Sequence, residues 1–330
     1  MVYICLVKTR ILISIGDING IGPEIVLKTL NNRVIRGKYD LTVLSPFSVA
    51  AWWTKHFKLK LWADDFNIIP VADEKVKISP GKITAESGFT AGAAIAAGAE
   101  LCMAGEYDAL VTAPISKQAL NMGGFKFGGH TEMLTALSGA KDSCMFMLGK
   151  TINMGFASTH PPIKLVAGLI TPSLLKSKIA ICIDCLKFDL GKNKPSIGVL
   201  ALNPHAGEGG QIGDEEIKII SPTLRMLRKK YKNVSISEPQ SPDAYFASAA
   251  YKKYDMTFAM YHDQGFIPFK MIEGHLGVNF TAGLKFIRTS PDHGTAFDIA
   301  GKGIASPVSL VEAIKSADRI HKNRIKAAGK

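Results

Sequence analysis

The sequence predicts an α/β fold built on a largely parallel sheet that is covered by helices on both sides. Short apolar runs alternate with helical segments along the chain, which is typical of strand–helix units. Three of these runs end in a histidine-bearing segment, as expected where ligands bind outside the carboxyl ends of strands. With 330 residues, the chain is long enough for two domains or for one large α/β unit.

Composition and charge indicate a globular protein. Hydrophobic residues make up 47% and charged residues 21% of the chain, which excludes a disordered protein. No run approaches the roughly 18 apolar residues that span a membrane, and the opening segment has no cleavage-site pattern, so we expect neither a membrane anchor nor a signal peptide. The net charge of +12 is dispersed, with one short run at Arg228–Lys230, and this favours small anionic ligands over nucleic acid.

Cysteine usage indicates a reducing, cytoplasmic compartment. The chain has five cysteines, an odd number without the density of a disulfide scaffold. Cys182 and Cys185 form a CxxC pair inside an apolar, helical segment, and no second pair accompanies them. We therefore expect these two thiols to belong to the core.

The first half of the chain shows the strand–helix alternation clearly. A proline and Glu24 follow the first apolar run, where an opening helical turn accepts them. The alanine- and glycine-rich segment Phe89–Gly105 predicts a helix that packs very closely against its neighbours. The strands are predicted at Arg10–Asp17, Leu41–Ser45 and Ala109–Pro114.

Two glycine clusters, Gly123–Gly129 and Gly274–Gly283, are the best candidates for hinges. If both are hinges, one domain is discontinuous. We accordingly predict a first α/β domain from residues 1–128 and 282–330, and a second from residues 129–281.

Three histidines follow apolar strands in matching contexts: His160, His205 and His262. A single histidine at a strand end is usually structural, but three neutral imidazoles could hold a divalent metal and leave one position open for water or substrate. Such an ion could polarise a hydroxyl or carbonyl and stabilise an enolate. Glu208, in the glycine-rich loop after His205, could orient an imidazole, and capping or turn formation explains this acid equally well.

Several polar residues predict an anion site. Gly128–Glu132 places His130 and Thr131 at the start of a helix, where the amides could hold a phosphate or carboxylate; a helix cap is the alternative. Lys270, Asn279 and Arg288 lie in or near a glycine-rich tract that is too varied for ordinary packing. That tract has no GxGxxG fingerprint, so no Rossmann site is predicted.

Six motifs in order resemble the 4-hydroxythreonine-4-phosphate dehydrogenase family of bacterial vitamin B6 synthesis. They are GDINGIGPE, GGHTEML, STHPPIKLV, LNPHAGEGGQIGDEE, YHDQGFIPFK and IRTSPDHGTAFDIAGKG, and they extend from about Arg10 to about Val308. The first and last also resemble the isocitrate/isopropylmalate dehydrogenase superfamily.

The resemblance implies a two-domain isocitrate/isopropylmalate dehydrogenase-like fold with the active site in the cleft between domains. It implies oxidation of 4-phosphooxy-L-threonine by NAD or NADP, followed by decarboxylation to 3-amino-2-oxopropyl phosphate. It also implies a homodimer and a divalent metal (zinc, magnesium or cobalt) shared between subunits, with the metal ligands and dimer contacts in the second domain.

By motif, the resemblance gives His160, His205 and His262 as metal ligands. The other implied roles are substrate binding by His130, Thr131, Lys270, Asn279 and Arg288, and cofactor binding by Asp292, His293, Gly294 and Asp298. Asp243 and Lys270 are our own candidates for orienting a metal ligand or transferring a proton.

Three alternatives remain open. A paralogous dehydrogenase could act on 4-phospho-D-threonate or 4-phosphoerythronate. A metal-dependent hydrolase could use the same histidines, although the HGTAFDIAGKG tract argues against it. A non-catalytic metal- or nucleic-acid-binding protein fits the convergence of motifs least.

Overall fold

A computed structural model describes residues 8–60 and 66–329 of the chain, so Cys5 and the opening MVYIC lie outside the described residues. Packing divides the chain into two compact units. The first extends to Lys141 and resumes at Leu284–His321, and the second comprises Asp142–Gly283 and the chain from Lys322 onward. These units describe packing rather than independent folding, so the predicted domain boundaries stay a prediction.

The first unit contains parallel strands in the spatial order β3, β2, β1, β4, β11. Their bounds are β1 Arg10–Ser14, β2 Asp40–Leu44, β3 Asn67–Ile69, β4 Ala109–Thr112 and β11 Ile287–Pro291. Every residue of β4 and β11 is buried, as expected for strands covered on both faces. The three strands predicted in this half of the chain are confirmed, with β1 ending three residues before Asp17.

The first unit contains the following helices, of which the last three contribute to one apolar cluster. They are α1 Gly22–Asn31, α2 Arg33–Lys38, α3 Phe47–His56, α4 Ala85–Met103, α5 Lys117–Met122 and α6 His130–Leu137. The predicted close packing of α4 is confirmed: a Cβ added at Gly88 would lie 1.7 Å from the carbonyl oxygen of Ala119. Small residues on α4 therefore let α5 approach its backbone.

The second unit has a mixed set of strands in the order β10, β5, β6, β9, β7, β8. Their bounds are β5 Cys144–Leu148, β6 Met154–Phe156, β7 Ser196–Val199, β8 Ser235–Ile236, β9 Met256–Ala259 and β10 Val278–Ala282. The pairs of β5 with β10 and with β6 are antiparallel, and the other pairs are parallel. The α/β class is confirmed, but the parallel arrangement has this exception.

A short turn explains the antiparallel pairing of β5 and β6, since parallel strands need a long crossover connection. The carboxylate of Glu273 accepts hydrogen bonds from the backbone amides of Lys150, Thr151 and Ile152 at 2.6–2.9 Å. This contact from more than 100 residues away fixes the turn, so the local sequence signal for it is weak.

The helices of the second unit are α7 Ile163–Leu169, α8 Pro172–Asp184, α9 Ser221–Lys230, α10 Pro242–Ala247 and α11 His262–Glu273; a further helix, α12 Val308–Ala328, closes the chain. A π-helical turn, Cys185–Asp189, extends α8. Cys182 and Cys185 are both buried, which confirms their place in the core.

Within the described ranges, no single helix is both long and apolar enough to cross a membrane. The bent pair Ile163–Leu169 and Pro172–Asp189 reaches that length and composition only when its two parts are combined.

Candidate active site

The turn from β9 into α11 places His262 at the first helical position. Gln264 fixes this turn, because its carboxamide oxygen accepts the amide of Met260 at 2.7 Å and its nitrogen donates to the carbonyl of Ala201 at 2.7 Å. One buried side chain thus joins the ends of β9 and β7 to the start of α11. Sequence reasoning left Gln264 without a role, and the structure gives it this one.

The imidazole of His262 is oriented by its own helix. Its Nδ1 lies 2.6 Å from a carboxylate oxygen of Asp263, and since a carboxylate only accepts, Nδ1 donates. Its ring stacks on Phe266, one turn along, with 4.2 Å between ring centroids. The remaining nitrogen, Nε2, therefore keeps its lone pair for a ligand, in the manner of metal-binding histidines held by a carboxylate.

His160 lies beside His262 in the second unit. The backbone amide and hydroxyl of Ser158 both donate to the carbonyl of Met260, at 3.2 and 2.8 Å, and this joins the segment after β6 to the end of β9. The two imidazole centroids are 5.7 Å apart, next to a cavity of about 300 Å³ that both histidines line. Two of the three predicted metal ligands are thus brought together.

His205 lies in a loop with unusual backbone geometry. Five consecutive residues, from His205 to Gly209, have φ between 43° and 82°. This left-handed region is unfavourable for residues other than glycine. Glu216 anchors this loop, because its carboxylate accepts the amides of Leu202 and Asn203, each at 2.8 Å. Such a strained and firmly held loop is typical of functional sites.

Asp243, the proton-transfer candidate, lies at the start of α10 near His205. The hydroxyl of Ser241 donates to its carboxylate at 2.6 Å, and this bond, with a smaller contribution from His205, lowers the pKa of Asp243. Among the described residues of one chain, no three His, Cys, Asp or Glu side chains form a group that could hold a metal. His205 is therefore not grouped with the other two histidines, and Glu208 is exposed.

In the first unit, the predicted substrate residues His130 and Arg288 are neighbours. The Nε2 atom of His130 is inaccessible to solvent and has no hydrogen-bond partner among the described residues. Burial, with nearby Arg288, lowers the pKa of His130 well below its usual value, so the imidazole is neutral at pH 7. The helix α6 begins at His130 with Gly129 as its cap, so the alternative that Thr131 caps the helix is wrong.

Arg288 lies on β11 and is only 1% exposed. Its Nε and Nη2 atoms donate to the hydroxyl of Thr112 on β4, at 3.1 and 2.7 Å. Burial lowers the pKa of Arg288 to about 9, which still leaves the guanidinium charged at neutral pH. A fixed, buried cation beside a neutral imidazole is suited to an anionic ligand.

In the second unit, Asn279 on β10 has a buried carboxamide oxygen without a hydrogen-bond partner among the described residues. Lys270 is exposed in the last turn of α11. The stretch between His262 and Lys270 is helical and separates the two residues by about 12 Å along the helix axis. His262 belongs to the strand end, and Lys270 does not.

The predicted cofactor residues Asp292, His293, Gly294 and Asp298 lie in the non-helical segment between β11 and α12, and we call residues 292–305 the cofactor tract. It packs against the segment between β1 and α1, where the amide of Ile21 donates to the carbonyl of Thr295 at 3.0 Å. Sequence reasoning missed two side chains that hold it, Lys28 and His56. Their tract partners are more than 240 positions away, so no local pattern marks them.

With this geometry established, comparison with known proteins is decisive. The family model for pyridoxal phosphate biosynthetic protein PdxA matches residues 24–317. The chain belongs to the PdxA family. A 4-hydroxythreonine-4-phosphate dehydrogenase from Bacteroides thetaiotaomicron is 37% identical over 96% of this chain and 90% of its own length. A D-threonate 4-phosphate dehydrogenase from Pectobacterium atrosepticum is 37% identical, covering 93% of this chain and 98% of its own.

Solved structures agree with this assignment. The crystal structure of 4-hydroxythreonine-4-phosphate dehydrogenase from Klebsiella pneumoniae superposes with a TM-score of 0.84 at 33% identity, covering 95% of this PdxA-family chain and 100% of the other. The predicted family resemblance is confirmed, and the chain is an oxidoreductase. A dehydrogenase is thereby favoured over the hydrolase and the non-catalytic alternatives.

Proposed function

We propose that this enzyme oxidises 4-phosphooxy-L-threonine with NAD or NADP and releases carbon dioxide from the product, giving 3-amino-2-oxopropyl phosphate for pyridoxal 5'-phosphate synthesis. The observation that carries this proposal is a pair of buried polar atoms without a described protein partner, His130 Nε2 and Asn279 Oδ1. Leaving such groups unpaired costs about 1–3 kcal/mol each, so they are expected to meet a ligand. Both belong to the predicted substrate set.

The charge of the proposed substrate suits the residues of the first unit. Arg288 is buried and charged, and a guanidinium binds a phosphate or carboxylate through paired N–H donors. His130 is neutral, so it can accept or donate one hydrogen bond without adding charge. We propose that Thr131, with its backbone amide at the start of α6, contributes to the same anion contact, and that Lys270 and Asn279 bind further polar groups of the substrate.

A divalent metal suits the histidine pair of the second unit. His160 and His262 lie side by side, and Nε2 of His262 is left available by the bond from Nδ1 to Asp263. Imidazole binds zinc and cobalt well, and magnesium less so. When bound, such an ion supplies Lewis acidity toward a hydroxyl or carbonyl oxygen. Among the described residues of one chain, the two histidines do not form a complete ligand group.

A second copy of the chain would complete the ligand set. Large apolar side chains are exposed on the two helices that follow the histidines: Ile163 is 71%, Ile267 58% and Met271 82% exposed. Exposed apolar residues grouped around an incomplete site favour a homodimer interface. We therefore propose a homodimer in which His160, His205 and His262 form metal sites from both subunits.

The proton released on oxidation of the C3 hydroxyl needs an acceptor. Asp243 is held ionised by the hydroxyl of Ser241, which makes it a weak base that takes a proton only from an acidified group. Lys270 is the other candidate. We also propose that Asp292, His293, Gly294 and Asp298, all in the first unit, bind the dinucleotide.

The substrate is tested by reduction of NAD and NADP, followed by absorbance, with purified enzyme and each of zinc, magnesium and cobalt. Three substrates are compared: 4-phosphooxy-L-threonine, 4-phospho-D-threonate and 4-phosphoerythronate. We expect the first to have the highest kcat/KM. The relative named for D-threonate 4-phosphate makes the second compound the specific competitor, and a preference for it would replace the proposed substrate. No reduced nicotinamide from any of them would refute the proposal.

Subunit sharing of the metal is tested by complementation. His205→Ala and His262→Ala homodimers should each be inactive, while a His275→Ala control, at an exposed position, keeps its activity. If ligands come from both subunits, mixed and reassociated variants should regain about a quarter of wild-type activity, since half the dimers are mixed and each has one intact site. No recovery despite proven subunit exchange would place all ligands in one chain.

A further inference from the structure

We propose that Lys28 is a positioning residue for the cofactor tract, an inference that rests on the proposed function. Lys28 lies on α1, and its side chain is 25% exposed. Its Nζ donates to the carbonyl oxygens of Gly303 and Ala305, each at 2.8 Å. Two of its three N–H donors thus hold the end of the tract from 275 or more positions away.

The third donor of Lys28 is fixed by a buried acid. Nζ lies 2.7 Å from Oε1 of Glu24, one helical turn earlier, and Glu24 is fully buried. The same oxygen accepts the backbone amide of Ala305 at 2.7 Å. Glu24 and Lys28 therefore bind the backbone of one segment by hydrogen bonds to both its amide and its carbonyl groups. These bonds fix the position and the direction of that segment.

The end of the cofactor tract depends on these backbone hydrogen bonds because it has few side chains that could pack against the rest of the unit. Gly301 and Gly303 have φ of 79° and 73°, in the left-handed region that glycine adopts readily. Since they have no side chains, only their backbone atoms can make contacts. His56 adds a contact of 2.9 Å between its Nε2 and the carbonyl oxygen of Gly301. Carbonyl contacts from α1 and α3 thus pre-form a glycine-rich segment that would otherwise have to become ordered when the dinucleotide binds.

The role of Lys28 depends on the geometry of its hydrogen bonds and not only on its positive charge. A lysine ammonium is a compact cation with three rotatable donors, which matches one carboxylate and two carbonyls in three directions; a planar guanidinium does not. Loss of Lys28 alone would also leave the buried Glu24 uncompensated. The double variant Glu24→Gln/Lys28→Met removes both charges. Its effect therefore reports the loss of the Lys28 hydrogen bonds to the tract without an unpaired buried charge.

The experiment compares wild type, Lys28→Met, Lys28→Arg and the double variant. The control is Lys218→Met, which breaks another lysine–acid pair of the same spacing, with Asp214, in which both side chains are exposed. We expect the KM for the dinucleotide to rise about 10- to 100-fold in Lys28→Met and in the double variant, because hydrogen bonds from a charged group are lost. The kcat at saturating dinucleotide should stay within about threefold, Lys28→Arg should recover part of the loss, and Lys218→Met should match wild type.

Two readouts do not depend on turnover. Amide hydrogen exchange should become faster at residues 301–305 in the double variant, without a change in the strands of the first unit. Dinucleotide titration without substrate, followed by tryptophan fluorescence, should show the same weakening as the KM. If hydrogen exchange and dinucleotide affinity are both unchanged in the folded double variant, the positioning role of Lys28 is refuted and the proposed function is not. No binding of either dinucleotide by wild type would overturn the proposed cofactor and this inference together.

Discussion

Acid should destabilise the folded chain through His130, and replacing this histidine with leucine should remove that effect. The Nε2 atom of His130 is inaccessible to solvent and has no described hydrogen-bond partner. Burial, followed by the charge of Arg288, lowers the pKa of His130 well below 6.5 in the folded state. In the unfolded chain the same imidazole has its ordinary pKa of about 6.5.

The sign and the size of the effect follow from linkage between protonation and folding. Below about pH 6.5 the unfolded state binds a proton that the folded state does not, so stability is present above this pH and is lost as the pH falls. At about pH 5 the unfolded state gains up to about 2 kcal/mol from this protonation, compared with about 0.1 kcal/mol at about pH 7.5.

The assay is guanidinium unfolding of wild type, His130→Leu and His275→Leu at about pH 7.5 and about pH 5. Relative to wild type, His130→Leu should become more stable by up to about 2 kcal/mol on acidification, because it has no imidazole to protonate. His275→Leu makes the same substitution at an exposed histidine and serves as the matched control. Parallel behaviour of His130→Leu would show that His130 is protonated equally in both states, and would refute the argument.

Two further predictions concern the core. Gly88→Ala should lower the free energy of unfolding by about 3 kcal/mol or more, because the added Cβ would overlap the carbonyl oxygen of Ala119. Gly37→Ala, on a helix with open space around this position, should raise the free energy of unfolding by up to about 1 kcal/mol. Thermal melting measures both changes. Burial raises the pKa of Cys182 and Cys185 well above the usual range, so both thiols should resist Ellman's reagent in the native protein and react after unfolding; rapid native labelling of either would contradict their burial.

The sequence predicted elements well where one local pattern decides them. The apolar runs of β1, β2 and β4 are buried throughout or almost throughout, and each strand lies where the pattern predicted it. The antiparallel pairing of β5 with β6 escaped prediction, because a carboxylate from Glu273 stabilises the turn between them. A contact of that kind has no sequence period, so reasoning from nearby residues cannot find it.

The candidate site divides along the same line. The groups that orient His262, Asp263 and Phe266, lie on the same helix and in the same short motif, so the proposed ligand role of His262 has a local sequence signal. Lys270 lies about two helical turns further along the same helix, so it does not share the strand end with His262.

The cofactor tract shows why the remaining residues could not be predicted. Its glycines are conspicuous in the sequence, but glycine indicates only that the backbone takes an unusual shape, and not what holds that shape. The atoms that hold it are the ammonium of Lys28, the carboxylate of Glu24 and the imidazole of His56, all on helices near the start of the chain. Since each of them contacts backbone atoms of the tract, the contact leaves no complementary side chain to notice. Residues of this kind are found only by asking where the carbonyl and amide groups of a glycine-rich segment make their hydrogen bonds.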